Sequence, residues 1–392
     1  LKVDAIRHNS ATSDAITTLS DGTCTARITG MTGGGGLSHR NLIINGAMIV
    51  AQRGVSSTTS GYGDLDRWKH EYASVNENPT FAQVSLTTSD TPYTLGLTKT
   101  YKLTNGNQTS GLQAASQINF NQQIEAQNIR NSGWNYKSSS SYLTLSFWVR
   151  SSVSQNFNGF VKTVDGSMYI YPYETGTLSE NTWTKITKSI PGNSNLQIDD
   201  NTHSGFQVFP IAIYGTNYTS NGVTNDAWAN WSGGSARTKD QTATWFTTND
   251  STLEITGVQL EVGDTATSFE HRSYGDELAR CQRYFYRMQN GSSGSYWIGH
   301  TSSYGGNNNI MMVYLPVCMR DNPSVSTSGT ASHFQLWGNG TVENLSTLPA
   351  LRSSNGINPS VIAIDITHNI TTGHTRIVRM GSEAYIEFSA EI

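Results

Sequence analysis

Residues 253–288, LEITGVQLEVGDTATSFEHRSYGDELARCQRYFYRM, read as a strand, a turn and a helix in succession, so that one β-domain closes here and another begins. In the strand, Leu253 and Ile255 have one parity and Val258, Leu260 and Val262 the other, with Thr256-Gly257 between them. One extra residue at Gly257 would restore a single buried face, which predicts a β-bulge at that point. Farther on, Leu278, Cys281, Phe285 and Met288 recur at helical spacing, with Asp276 and Glu277 early and Arg283 and Arg287 late, as the helix dipole favours. The spacing predicts a helix over 274–289, its stripe widened by Tyr284 and Tyr286, that packs between two domains or against its own copies in a trimer.

Upstream the signals are β throughout. In Tyr142 to Arg150, Leu143, Leu145, Phe147 and Val149 alternate with Thr144, Ser146, Trp148 and Arg150, the period of two of a half-buried strand. Short strands are expected at 81–86, 98–103, 117–120, 160–164, 168–171, 183–190, 206–214 and 253–262, separated by turn formers such as Asp165-Gly166, Pro191-Gly192-Asn193 and Asn221-Gly222. Downstream, strands are expected at 310–317, 333–336, 361–366, 375–380 and 384–392, a second and smaller sandwich. Ahead of both, residues 1–38 hold two strand-like pieces, Val3 to Ile6 and Ala15 to Leu19, too poor in apolar surface to fold alone. The Gly33-Gly34-Gly35-Gly36 run then reads as a flexible joint.

Composition agrees with an all-β chain. With 14% charged and 36% hydrophobic residues, the 392-residue protein suits strands that bury one face and cover the other with hydroxyls and amides. A net charge of −4 and the lack of any basic run argue against binding a phosphate backbone, so nucleic acid is not an expected partner. No apolar run approaches the roughly 20 residues that span a bilayer, and membrane insertion is not expected. The first residue is Leu rather than Met, which reads as a fragment or a processed product. Cys24, Cys281 and Cys318 are odd in number and far apart, which argues against a disulfide framework or a zinc site, and Cys281 and Cys318, on an apolar helix side and in an apolar strand, read as small buried hydrophobes.

The wording of several segments resembles phage tail-fibre and virion appendage proteins of the marine or cyanophage type. The resemblance rests on Val258-Gln259-Leu260-Glu261-Val262-Gly263, Ala266-Thr267-Ser268-Phe269-Glu270-His271-Arg272, and Glu277-Leu278 through Cys281-Gln282-Arg283-Tyr284. It extends to Asn41-Leu42-Ile43-Ile44-Asn45-Gly46, Gln52-Arg53-Gly54, Gly61-Tyr62, Asp66-Arg67-Trp68, the Tyr142 to Val149 strand, Tyr314-Leu315-Pro316-Val317 and Met319-Arg320, covering roughly residues 39–392. It implies a jelly roll of the carbohydrate-binding-module type over 39–274, a linking helix over 275–290 and a distal tip domain over 291–392. Residues 1–38 become a stalk or attachment segment that contacts other virion proteins. It further implies a homotrimer on the virion, assembled in the host cytoplasm, that binds a bacterial surface polysaccharide for host attachment.

Glycan binding needs aromatic planes for sugar CH faces and amides or charged groups for hydroxyls. Trp228, Trp231, Tyr214, Arg237 and Trp245 supply those types in one turn-rich stretch, Trp134 and Tyr136 in a loop before a strand, and Tyr296, Trp297 and Tyr304 in the tip domain. Trp148 and Trp183, inside strands, read as structural. Enzyme signals are weak. Asp64 and Asp66 share a predicted strand face near Arg67, where ion pairing is the ordinary role, and no GxSxG or HExxH motif or histidine metal spacing stands out. No cofactor is expected. Related modules often carry a structural calcium ion, but no DxDxDG run is present. The expectation is a non-enzymatic adhesin; the rivals are a polysaccharide-degrading tail spike and a structural virion connector without a ligand.

Overall fold

A computed structural model describes residues 5–6, 16–18, 24–26, 39–289, 294–305, 307–338, 340–352, 357–369, 375–382 and 384–392. Leu143, Leu145, Phe147 and Val149 of strand Tyr142–Ser151 are all fully buried, as their period of two requires. They face a core shared by two six-stranded antiparallel sheets. One sheet runs Thr184–Pro191, Tyr142–Ser151, Thr252–Val262, Lys99–Thr104, Thr80–Ser85, Ser56–Ser57. The other runs Ala229–Asn230, Tyr169–Leu178, Gln155–Thr163, Ser204–Tyr214, Gln117–Glu125, Lys69–Ala73. The fold is all-β: this jelly-roll sandwich, a short helix over Tyr274–Gln282, and a smaller sandwich after it.

The bulge expected at Gly257 is present. The register of strand 252–262 against strand 142–151 slips between Thr256 and Gln259, and Gly257 has φ +63°. A Cβ there would meet Leu97 Cδ1, the movable end of a side chain, at 2.7 Å, so it is chiefly the positive φ that calls for glycine. The opened ladder is filled by the loop at 41–46: the Val258 N–H donates to Gly46 O at 3.0 Å, and the Asn41 amide bonds Val258 O and the Leu260 N–H.

The helix is shorter than its spacing implied. It spans Tyr274–Gln282, capped by the Ser273 hydroxyl, which accepts from the Asp276 N–H. Phe285–Gln289 is a strand paired residue for residue with Tyr385–Ser389. Phe285 and Met288 fit a helical stripe, but Tyr286 and Met288 pack into the C-terminal core, and Tyr286 stacks on Phe388 with ring centroids 6.0 Å apart. Pairing with a strand about 100 residues away overrides the local period. Strands Phe285–Gln289, Tyr385–Ser389 and Ser324–Thr327 form one sheet of the second sandwich, facing an eight-stranded sheet across Met311, Ile364, Val378, Ile386 and Phe388. Cys281 is buried as expected; Cys318 is exposed, because its strand, Asn308–Tyr314, ends before reaching it.

A buried polar junction ties the two sandwiches. Glu391, just past the last strand, pairs with Arg67 and, at 3.2 Å, with Arg53. Arg53 lies 3.4 Å from the Phe285 ring centre and Arg67 3.5 Å from that of Tyr284. Glu125, at the end of strand 117–125, takes two 2.8 Å bonds from the Arg283 guanidinium and one from the Tyr284 hydroxyl. Arg320 reaches across to Thr202 O at 3.0 Å. At the N-terminal end, Ala5–Ile6, Ile16–Thr18 and Cys24–Ala26 form a three-stranded antiparallel sheet, whose third strand the sequence reading missed. The glycine run at 33–36 lies outside the described residues.

Candidate functional site

The outer face of the 69–73/117–125/204–214/155–163/169–178 sheet carries a groove of about 390 Å³. Strand 117–125 (QINFNQQIE) explains its floor: Ile118, Phe120 and Ile124 enter the core, and the intervening Gln117, Asn121 and Gln123 line the groove as amides. Gln207 on the neighbouring strand bonds Gln123 at 3.1 Å, which holds both amides in place. Such a row offers donors and acceptors at once, which matches vicinal hydroxyls.

A second bulge builds the aromatic part. Along strand 204–214 the register slips between Val208 and Ala212; Phe206 and Val208 face the core before it, Ile211 and Ile213 after it. Phe209, Ala212 and Tyr214 are thereby turned outward, and with Phe160 and Ile170 they make a small separate cluster. Tyr173 stabilises the bulge from beneath, its hydroxyl donating to Pro210 O at 3.1 Å. Gly159 makes room for it, since a Cβ there would lie 2.6 Å from the Tyr173 ring and 2.4 Å from Pro210 O. Phe160 and Phe209 stack at 4.1 Å, and the half-buried Trp231 packs over the cluster.

Cations crown these rings. Arg237 lies 4.7 Å from the Tyr218 ring centre, 5.2 Å from that of Tyr214 and 5.6 Å from that of Trp231. Lys162 Nζ stands 4.8 Å from the Trp231 ring centre. Burial, and after it the charge of Arg237, pull the Lys162 pKa below its ordinary value, with Glu71 acting weakly the other way. Glu71 is the one carboxylate among the described residues lining the groove, and it pairs with Lys69 at 2.9 Å.

Of the ten residues singled out from the sequence, the groove gathers three: Tyr214, Trp231 and Arg237. Trp245 is a core residue, 0% exposed, its indole donating to Thr252 O at 3.0 Å. Trp134, 3% exposed, packs edge-on against Phe206 and donates to Ser141 O. These two are corrected to structural roles: a large ring in a loop still enters the core when its N–H finds a carbonyl there. Tyr136 sits against the same core beside Trp134, away from the groove. Trp228 is half-buried against Tyr171, donates to Pro191 O at 2.6 Å, and lines a separate cavity of about 540 Å³. In the C-terminal domain Tyr296 and Trp297 are exposed, and Trp297 meets Trp337 edge-on at 5.4 Å, with Arg379 beside it. Tyr304 belongs to strand Tyr296–Gly305, and its side chain lies outside the described residues.

Lys162, Phe160, Phe209 and the amides at 117, 121, 123 and 207 escaped the sequence reading. The visible signal was an amide at every second place, Gln117, Asn119, Asn121 and Gln123, along a strand with an apolar alternate face.

Asp64 and Asp66 lie in a turn rather than on a strand, and both are fully buried. Asp64 accepts from the Tyr101 hydroxyl and Asp66 from the Gln52 N–H. Burial raises both carboxyls to about 6, and neither lines the groove. Burial likewise lowers His70, beside Tyr101, to about 4. Among the described residues no three His, Cys, Asp or Glu side chains gather as a metal site.

No protein-family model matches the chain, and no curated protein matches it. Among solved structures it is similar to the enzymatically active domain of tailspike protein 4 of bacteriophage CBA120, at 10% identity and TM-score 0.30 over 57% of this chain and 21% of that one. It is similar to a Bacteroides thetaiotaomicron protein provisionally described as sugar-binding, at 11% identity and TM-score 0.32 over 57% of this chain and 100% of that one. A third likeness is to the tandem CBM22 domains of Paenibacillus barcinonensis Xyn10C, at 9% identity and TM-score 0.24 over 82% and 93% of the two chains. At such scores the likenesses carry nothing about ligand or chemistry, which have to be read from the groove.

Proposed function

We propose that the protein is a glycan-binding adhesin that holds a saccharide chain in the groove on the outer face of its first sandwich. The observation that carries this reading is the groove's make-up: a row of interlocked amides beside the half-buried Trp231, on a rigid sheet. Amides serve hydroxyls, and the indole serves an apolar sugar face. Both stand on strands or are braced against them, so little order has to be gained on binding. A retaining or inverting glycosidase needs two carboxyls roughly 5 to 10 Å apart across the scissile bond. Glu71, tied to Lys69, has no carboxylate partner among the described lining residues, which favours binding over cleavage at this groove.

The wider reading is a virion appendage protein for attachment to a bacterial surface polysaccharide, as a homotrimer in which three weak sites act together. Its support is the sequence resemblance set out above together with the groove. The test is affinity electrophoresis of the full chain in gels containing bacterial surface polysaccharides, beside Trp231→Ala. Retardation that falls about tenfold in the variant supports the reading. Mobility unaffected by every polysaccharide, or retardation unchanged by the substitution, overturns it. For the assembly, light scattering of the purified chain is expected to give three times the mass of one chain.

A further inference from the structure

The groove is cationic in a protein that is not. The chain carries a formal charge of −4, yet Lys69, Lys162 and Arg237 line the groove against the single carboxylate of Glu71. Lys69 and Glu71 neutralise one another at 2.9 Å. That leaves Lys162 and Arg237, both half-buried, both on the face of Trp231, and neither with a carboxylate at ion-pair distance among the described residues. Two like charges gathered and partly desolvated in one place cost stability unless something answers them. Ring faces of Trp231, Tyr214 and Tyr218 offset part of that cost, but quadrupoles do not replace an anion. A neutral saccharide would strip water from both cations and return only hydroxyl contacts.

We infer that the groove selects an anionic saccharide, whose carboxylate or sulfate sits between Lys162 and Arg237 while the ring bearing it lies along Trp231 and the amides. This inference rests on the glycan-binding reading and narrows its substrate class. Arg237 would supply a planar fork to the anion and Lys162 a point charge, a pairing that tolerates either geometry. The depressed Lys162 pKa agrees with a site waiting for a counter-charge.

The test uses the full chain and matched polymers: polygalacturonate, xanthan and gellan, each intact and carboxyl-reduced, with dextran sulfate against dextran as the sulfate arm. Binding is read by affinity electrophoresis and calorimetry. Intact uronate polymers are expected to bind at least about tenfold tighter than their reduced forms, and raising NaCl from about 50 to about 500 mM should erase most of that difference. Lys162→Gln with Arg237→Gln should abolish the preference, while Arg237→Lys keeps it within about threefold, which separates charge from folding. Preference for dextran sulfate alone would assign the anion as sulfate and still support the inference. Equal binding of intact and reduced polymers, lost on Trp231→Ala, overturns the anionic site and leaves the glycan-binding reading standing. Absence of any binding that depends on Trp231 overturns both.

Discussion

The domain junction and the groove are built from the same kinds of side chain, cations on aromatic rings, and do opposite things with them. At the junction Arg53 and Arg67 lie against Phe285 and Tyr284, and Glu391 answers both guanidiniums. In the groove Arg237 and Lys162 lie against Tyr214, Tyr218 and Trp231, and no carboxylate of the described residues stands at ion-pair distance from either. An arginine on an aromatic ring is therefore not informative by itself. What separates a structural joint from a ligand site is whether the protein supplies the counter-charge. The junction is closed chemistry, and its removal should unfold something. The groove is open chemistry, and its removal should spare the fold and cost binding.

The sharpest way to break this contrast is Glu391→Gln, which removes the ion-pair partner of the buried Arg67 and of Arg53. A loss of about 3–5 kcal/mol is expected in denaturant unfolding, provided one transition is followed. Next comes Glu125→Gln, which removes an acceptor of the Arg283 guanidinium and the Tyr284 hydroxyl, for about 2–3 kcal/mol. Burial alone would raise the Glu125 carboxyl, but the bonds from Arg283, Tyr284 and Gln127 outweigh it and hold it below its ordinary 4.5. A depressed folded pKa stabilises fully above the unfolded value and ceases to do so as pH falls through the folded one. The stability gap between wild type and Glu125→Gln should accordingly be constant above about pH 5 and close below it. Tyr284→Phe deletes one hydrogen bond and keeps the ring over Arg67, for about 1 kcal/mol. Smallest of all, Arg237→Gln and Lys162→Gln should change stability by less than about 0.5 kcal/mol, with a gain as natural as a loss, because each relieves a like charge. A large loss there would mean that the groove cations are joints after all.

Trp245 and Trp231 show where reading residues in order stops. Both sit in turn-rich sequence within 15 residues of each other, yet one is wholly enclosed and the other half open on the groove. Loop position does not distinguish them. Their neighbours do, since Trp245 finds Thr252 O inside the core and Trp231 finds Ser235 O at the surface.

The all-β class, most strand positions and the bulge at Gly257 were legible in the chain, because each depends on a period of two and on what a single glycine permits locally. The strand at 285–289 was not, since its local spacing satisfies a helix and only a partner some 100 residues away decides otherwise. Nor was the groove. Its rings reach the outer face through a register slip at Val208–Ala212, its cations come from strand 155–163 and the loop at 237, and its amides from strand 117–125. Alternation tells which residues share a face of one strand. Which strands lie side by side, and which charge is left unanswered when they do, is settled by long-range pairing alone.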